Sequence, residues 1–461
     1  MNKLINITVK DLLDNCKAKL LIGNEEEVIN ECFINSKEVT NNSCFFGIKG
    51  ENKDGSLFYK EAFDNGASIC VLSKIKDLDL NGYDDKTVII ADDTTKVLQD
   101  LAKLKRSLFS GEVIAVTGSV GKTSTKEFIA NVLSQNYKVL KTKGNQNSQL
   151  GLPLTILRLT DEDVMVLEMG MNDFGQIHNL SLIARPTISV ITNIYDSHIG
   201  ILGSRENILK AKLEILDGMN SGTLIINNDN DLLMNINNDI KENISVMSIG
   251  IENKSNVMPN NILNKGITTF DIDDIKGFEV MGGIAYVYNA LFAYLTGKLL
   301  NVSRSMIKKG INEKINIKHR LELIKVDNNI TLIDDCYNAS FDSVKVALEY
   351  IKNFSKRKIA ILGDILELGK KSKNIHKKIG KLVIDNNIDR LITIGKYSKY
   401  IGREAKKLGM ERKNIKHFKR EKDARKYIND IIRENDIILI KGSNGMNLIN
   451  LVDYLKEGLV C

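Results

Sequence analysis

An α/β chain of three domains, with a doubly wound P-loop sheet at its centre, is what the sequence predicts, and three observations predict it. At 461 residues the chain exceeds one compact core and fits about three domains of ~150 residues each. From residue 112 onward, short β-branched apolar runs alternate with helical stretches, as in a parallel sheet covered on both faces. Within that region the run EVIAVTGSVGKTST, residues 112–125, places a glycine loop between an apolar strand and a helix.

Residues 1–110 read as a small α/β domain. Its strands are CFFGIKG, SICVLS and TVIIAD, with helical stretches such as LFYKEAFDNGA between them. A helix, TTKVLQDLAKLKRSLFSG, closes it, with Gly111 read as the stop signal. Residues 111–318 form the central domain, whose strands are VIAV, DVMVLEMG, ISVITNI and TLIINN. A ligand is expected at the carboxyl ends of these strands. The stretch from about 245 to 283, rich in Asn, Ile and Asp, reads as antiparallel strands, and the helix AYVYNALFAYLTGKLL follows. Residues 319–461 bring ITLIDD, KIAILGD, RLITIG and DIILIKG, each followed by a helical stretch, which makes a Rossmann-like carboxyl-terminal domain. No G-x-G-x-x-G follows its first strand, so dinucleotide binding is not indicated.

Composition narrows the function classes. The 65 basic and 58 acidic residues leave a net charge of +7 on a mixed surface, which suits phosphorylated small molecules. The basic run KHFKREKDARK, residues 416–426, lacks interleaved aromatics and reads as a solvated helix face, so no nucleic-acid partner is expected. No run of about eighteen apolar residues exists and MNKLINITVKDLL has no signal-peptide core, so no membrane span and a cytoplasmic location are expected. The six cysteines, Cys16, Cys32, Cys44, Cys70, Cys336 and Cys461, form no C-x-x-C pair, which argues for reduced thiols.

The loop carries the chemistry. Its backbone N–H groups and the helix end face an anion, Lys122 reaches terminal phosphates, and the Thr123 hydroxyl can ligate magnesium. The commonest P-loop would have glycine at Val116; here a shorter T-G-S-V-G-K-T begins at Thr117-Gly118. A P-loop supplies one protein ligand for magnesium, so a carboxylate is expected at the end of a neighbouring strand, and Glu168 ends VMVLE. The next strand delivers Asn193, then Asp196 and His198. Lys212 follows on a helix that Ser204 caps; spacing alone leaves His198 and Lys212 open as ordinary surface or packing residues.

These segments also resemble a known family. TGSVGKTSTKEFIANVL, KTKGNQNSQLGLPLTIL, VLEMGMNDFGQI, ARPTISVITNIYDSHIGILGSRENILKAKLEIL, ITLIDDCYNASFDSV, AILGDILELG and ILIKGSNGM are similar, in this order and over essentially the whole chain, to the Mur ligases of peptidoglycan synthesis. LEMGM, the IDD-x-YNA run and GDxLELG resemble the member that adds D-alanyl-D-alanine to UDP-N-acetylmuramoyl-tripeptide. The resemblance implies an ATP-dependent amide ligase working through an acyl phosphate, active as a monomer in cell-wall synthesis. It implies that Thr123 and Glu168 hold one magnesium ion, that His198 holds a second, and that Lys212 is carbamylated by carbon dioxide into a further metal ligand. Lys122, Glu168, His198 and Lys212 become the catalytic set. ATP is expected on Thr117, Gly118, Ser119, Val120, Gly121, Lys122, Thr123 and Ser124, with Asn289, Arg320 and Asp335 as further nucleotide contacts. Substrate contacts are implied for Ser36, Lys37, Asn145, Asn147, Tyr337 and Asn338, the first two in a UDP-binding first domain.

The chain departs from the family pattern at several places. Ala285-Tyr286 stand for His-Asn, His319 for glycine, Phe341 for proline, Asn444 for arginine, and Asn35-Ser36-Lys37 for Asp-Ser-Arg. Other readings are a different Mur-type or folylpolyglutamate-type ligase, a nucleotide-binding homologue with impaired turnover, and a P-loop ATPase that drives motion.

Overall fold

Four sheets carry the chain in a computed structural model that describes residues 5–51, 53–76, 78–265, 267–315 and 317–458. The first sheet comprises β1 (Ala18–Ile22), β2 (Cys32–Phe33), β3 (Ser43–Phe46), β4 (Ala67–Leu72) and β5 (Thr87–Ala91), in the order β1-β5-β4-β3-β2. Only the β1 and β5 pair is antiparallel. The short edge strands β1 and β2 escape the sequence pattern because neither is a continuous apolar run.

The central sheet holds β6 (Glu112–Thr117), β7 (Val139–Lys141), β8 (Val164–Glu168), β9 (Ile188–Ile191), β10 (Gly222–Asn227) and β11 (Ile244–Ile249). Its order is β11-β10-β9-β6-β8-β7, and all its pairs are parallel. β6 therefore lies between β8 and β9 at the point where the winding reverses, the place where such sheets open a crevice at their carboxyl ends. The expectation of antiparallel strands from about 245 needs correcting. β11 extends the central parallel sheet, and only β12 (Pro259–Lys265), β13 (Ile267–Ile272) and β14 (Ile275–Met281) form an antiparallel meander.

The last sheet contains β15 (Glu322–Val326), β16 (Ile330–Asp335), β17 (Lys358–Gly363), β18 (Arg390–Ile394), β19 (Ile415–Phe418) and β20 (Ile437–Lys441). They run in the order β15-β16-β20-β17-β18-β19, parallel except for β15. The basic run at 416–426 is thus split: Lys416–Phe418 belong to β19, and the helix begins only at Glu421.

Helix Thr94–Ser107 joins the first two sheets. It ends at Ser107 with Leu108 in right-handed geometry at its cap, so Gly111 is not its stop signal. Gly111 is needed instead for close approach, because a Cβ there would run into the Asp163 carbonyl and the Phe109 ring. Leu98, Leu101 and Ala102 on this helix belong to one continuous core that runs from Ile69 and Ile89 of the first sheet to Met165 and Leu167 of the central one. Arg106, buried at the same junction, donates to the carbonyls of Phe109, Ala184 and Arg185, so its charge is met by three acceptors.

Cys16, Cys32, Cys44, Cys70 and Cys336 are buried free thiols, and Cys461 lies outside the described residues. Among the described residues no helix is long and apolar enough to cross a membrane.

Candidate active site

The glycine loop sits between β6 and the helix Lys122–Leu133. Gly118 has φ of 148° and its absent Cβ would collide with the Thr192 hydroxyl, so only glycine fits there. The loop is fastened to the segment that leaves β9. Val120 N–H donates to Asn193 Oδ1 (2.9 Å), and Asn193 Nδ2 donates back to the Val120 carbonyl (2.9 Å). Thr192 Oγ1 donates to that same carbonyl (2.7 Å), and Ser119 Oγ accepts from Tyr195 N–H (2.9 Å). No side chain caps the helix Lys122–Leu133. Its first-turn N–H groups, including those of Thr123 and Ser124, are therefore left for an anion. Thr117 spends its hydroxyl on the Met169 carbonyl (2.9 Å), whereas Lys122 folds over the loop to the Gly118 carbonyl (2.9 Å).

Glu168 ends β8 beside the loop and is 1% exposed. One of its oxygens accepts from Asn147 Nδ2 (2.8 Å), and the other is buried with no hydrogen-bond partner. A buried carboxylate left half satisfied is costly unless a cation completes it. His198 caps the short helix Ile199–Leu202 with φ of 61°. Burial first, then Lys122 and Lys212, push its imidazole down to about 4, so the ring is neutral near pH 7 and able to bind a metal. Lys212, 2% exposed on the helix Arg205–Leu213, is driven well below an ordinary ammonium by burial and by the neighbouring charge of Lys122. Lys122 is itself lowered by burial, with Glu168 opposing and Arg320 assisting. These couplings draw Lys122, Glu168, His198 and Lys212 into one electrostatic neighbourhood. A hydroxyl, a carboxylate with a free oxygen and a neutral imidazole fit hard divalent cations such as magnesium.

The carboxyl-terminal sheet supplies the opposite wall. The Arg320 guanidinium lies 4.1 Å from the centre of the Tyr337 ring, and Glu168 raises the Tyr337 phenol after burial does. Asp335 is 9% exposed and accepts from Lys441 Nζ (2.6 Å), which also reaches the Asn338 carbonyl (3.1 Å). Lys441 was not singled out from the sequence, although it ends an apolar strand, the same signal that marks Glu168, and pairs in register with Asp335. Asn338 Oδ1 accepts from Ala339 N–H (2.9 Å). Asn289, on the helix Ile284–Leu299, accepts from Thr125 Oγ1 (2.9 Å) beneath the loop. At the departure Ala285-Tyr286, the buried Tyr286 donates to the Arg320 carbonyl (3.3 Å) and meets Phe128 edge-on at 5.5 Å. The structure thereby gives Tyr286 a packing and linking role.

The remaining sequence-derived residues lie elsewhere. Ser36 is buried in the first domain with its hydroxyl on Glu61 (2.5 Å), and Lys37 beside it is exposed. Asn145 is exposed, in the segment that carries Asn147 to Glu168.

Fold and loop together define a three-domain P-loop protein of the α/β class. The Mur ligase middle domain family matches residues 116–297, and the Mur ligase, glutamate ligase domain family matches residues 319–444. The UDP-N-acetylmuramoyl-tripeptide–D-alanyl-D-alanine ligase of Bacillus subtilis is 35% identical over 98% of this chain and 99% of its own length. The crystal structure of MurF from Acinetobacter baumannii superposes with a TM-score of 0.86 at 26% identity, covering 98% of this chain and 99% of that one. MurF ligase from Thermotoga maritima in complex with ADP gives 0.79 at 25% identity, over 93% and 98% of the two chains. The chain belongs to the Mur ligase family.

Proposed function

We propose that this protein is the ATP-dependent ligase that joins D-alanyl-D-alanine to UDP-N-acetylmuramoyl-tripeptide, releasing ADP and phosphate. The observation that carries the reading is the buried carboxylate of Glu168, with one oxygen free, at the strand end beside an uncapped P-loop helix. Full-length similarity to the Bacillus subtilis ligase supports the choice of substrates. The domain limits are 1–110, 111–318 and 319–461, and the protein acts as a cytoplasmic monomer.

A carboxylate is a poor electrophile because its oxygen does not leave. Its oxygen therefore attacks the γ-phosphorus of ATP, ADP departs, and an acyl phosphate forms; the dipeptide amine then attacks the acyl carbon and phosphate leaves. The first-turn N–H groups and Lys122 hold the triphosphate and offset the charge that gathers during transfer. Thr123 and Glu168 would hold one magnesium ion, with His198 and Lys212 holding a second. Two such ions supply electrostatic neutralisation of the phosphoryl oxygens. Burial and the neighbouring charge of Lys122 favour the neutral amine at Lys212, the form that attacks carbon dioxide. The nitrogen of Lys212 bonds to that carbon and sheds a proton, which converts a neutral amine into an anionic ligand. Arg320 and Asp335 bind the nucleotide from the carboxyl-terminal side, Tyr337 and Asn338 border the reacting groups, and Asn289 supports the loop. Ser36, Lys37, Asn145 and Asn147 line the path of the UDP-peptide.

The test is phosphate release by the purified protein. Release is expected only when ATP, the UDP-muramoyl tripeptide and the dipeptide are all present. Release with ATP alone would indicate a motor-type ATPase, and none under any condition a binding protein.

A further inference from the structure

We propose that Glu367, from the carboxyl-terminal domain, is a positioning residue that sets the tautomer of His198 in the central domain. The proposal deepens the reading above and rests on it, since it takes His198 as an ion ligand. His198 Nδ1 is buried and has no hydrogen-bond partner, and the acid that faces it is Glu367, whose Oε2 lies 3.5 Å away. The two residues lie in segments that follow strands of different sheets and are held in the same unusual way. His198 has φ of 61° and Glu367 φ of 62°, left-handed geometry that side-chain-bearing residues rarely adopt. Strain of this kind gathers at ligand clamps and switches. The two segments are also packed without slack, because a Cβ on Gly200 would meet the Glu367 carbonyl at 2.7 Å.

The chemistry follows from the facing pair, since an imidazole ligates a metal ion only in its neutral form. A neutral imidazole has one N–H, and a carboxylate facing Nδ1 holds the proton there. The lone pair is then left on Nε2 for a metal ion. Ligating histidines commonly have such a carboxylate on the other nitrogen, but here it arrives from a separate domain. At 3.5 Å the pair falls short of a good hydrogen bond, and closing it by roughly 0.6 Å would make one. The backbones are already in contact, so the exposed Glu367 side chain closes the gap, and readiness of the ion site is tied to the carboxyl-terminal domain being seated. Glu367 does this without touching the reacting atoms.

The experiment titrates the full-length protein with Mn2+ in the presence of a non-hydrolysable ATP analogue, following bound ion by electron paramagnetic resonance. The wild type is expected to bind two ions. Glu367→Ala should weaken the second by roughly 10- to 100-fold and leave the first unchanged. Glu367→Gln, whose amide oxygen accepts the same N–H, should restore most of the affinity. The Glu367 side chain is 65% exposed, so both variants are expected to fold. Nitrogen-15 shifts of labelled histidine should report the Nδ1–H form in the wild type and lose it in the Ala variant. A second ion bound as tightly by Glu367→Ala as by the wild type would overturn the proposal, as would a Gln variant no better than Ala. His198→Ala separates the two levels: it should bind one ion, and if it still binds two, it is the ion-ligand reading that fails.

Discussion

Lys212 is a buried amine close enough to a second amine, Lys122, for the two charges to repel, the placement on which the proposed carbamylation rests. Lys212→Ala is expected to lose about 100-fold or more in kcat, the scale on which lost charge stabilisation acts. Short carboxylates such as formate or acetate should restore part of the rate by occupying the place of the proposed carbamate. Full activity without rescue would remove Lys212 from the mechanism. At this scale the sequence was readable where the geometry is local. Lys122, Thr123 and Glu168 follow from strand, loop and helix in order, whereas His198 and Lys212 stood out only through family resemblance. The clamp made by Asn193 and the ion pair of Lys441 were hidden because their partners, Val120 and Asp335, lie 73 and 106 positions away.

Among the elements, helix Phe341–Lys352 carries a charge in an uncomfortable place. Ser340 and Ser343 close its capping box, which fixes the first turn and with it Asp342. Burial, and next the charge of Asp196 from the central domain, raise the Asp342 carboxyl from an ordinary 3.8 to about 6. Between those values the folded protein binds more protons than the unfolded chain, so stability falls as pH rises through that window. Asp342→Asn should therefore be more stable than the wild type at pH 7.5 by roughly 1–3 kcal/mol, with the advantage gone near pH 4. Thermal unfolding at the two pH values checks this, and an equal difference at both would contradict it. Element identity was readable where strands are buried on both faces, as in β8 and β9. The edge strands β15 and β19 are only partly buried and lack the continuous apolar run, so they left no comparable signal.

Over the whole molecule, the first and central sheets share one core through helix Thr94–Ser107, while the carboxyl-terminal sheet keeps cores of its own on its two faces. Polar side chains make contacts between the central and carboxyl-terminal parts: Tyr286 with the Arg320 carbonyl, and His198 with Glu367. Domains joined in this way move relative to each other more readily than domains that share an apolar core. That division suits the proposed reaction, whose activated acid must be shielded from water until an amine arrives. The three-domain order was legible because each sheet announces itself by its central strands. The joining of the first two into one body was not, since it depends on the buried face of a helix whose partners are distant in the chain.

The proposed reaction passes through an acyl phosphate formed under the charges of Lys122 and its neighbours. Its most direct test is to incubate the purified protein with ATP, magnesium and the UDP-muramoyl tripeptide without dipeptide, quench with borohydride, and look for the alcohol left by reduction of the activated carboxyl. The alcohol is expected from the wild type and not from Lys122→Ala. A wild-type enzyme that ligates the dipeptide yet never yields the alcohol, or a Lys122→Ala variant that yields it in full, would contradict the account.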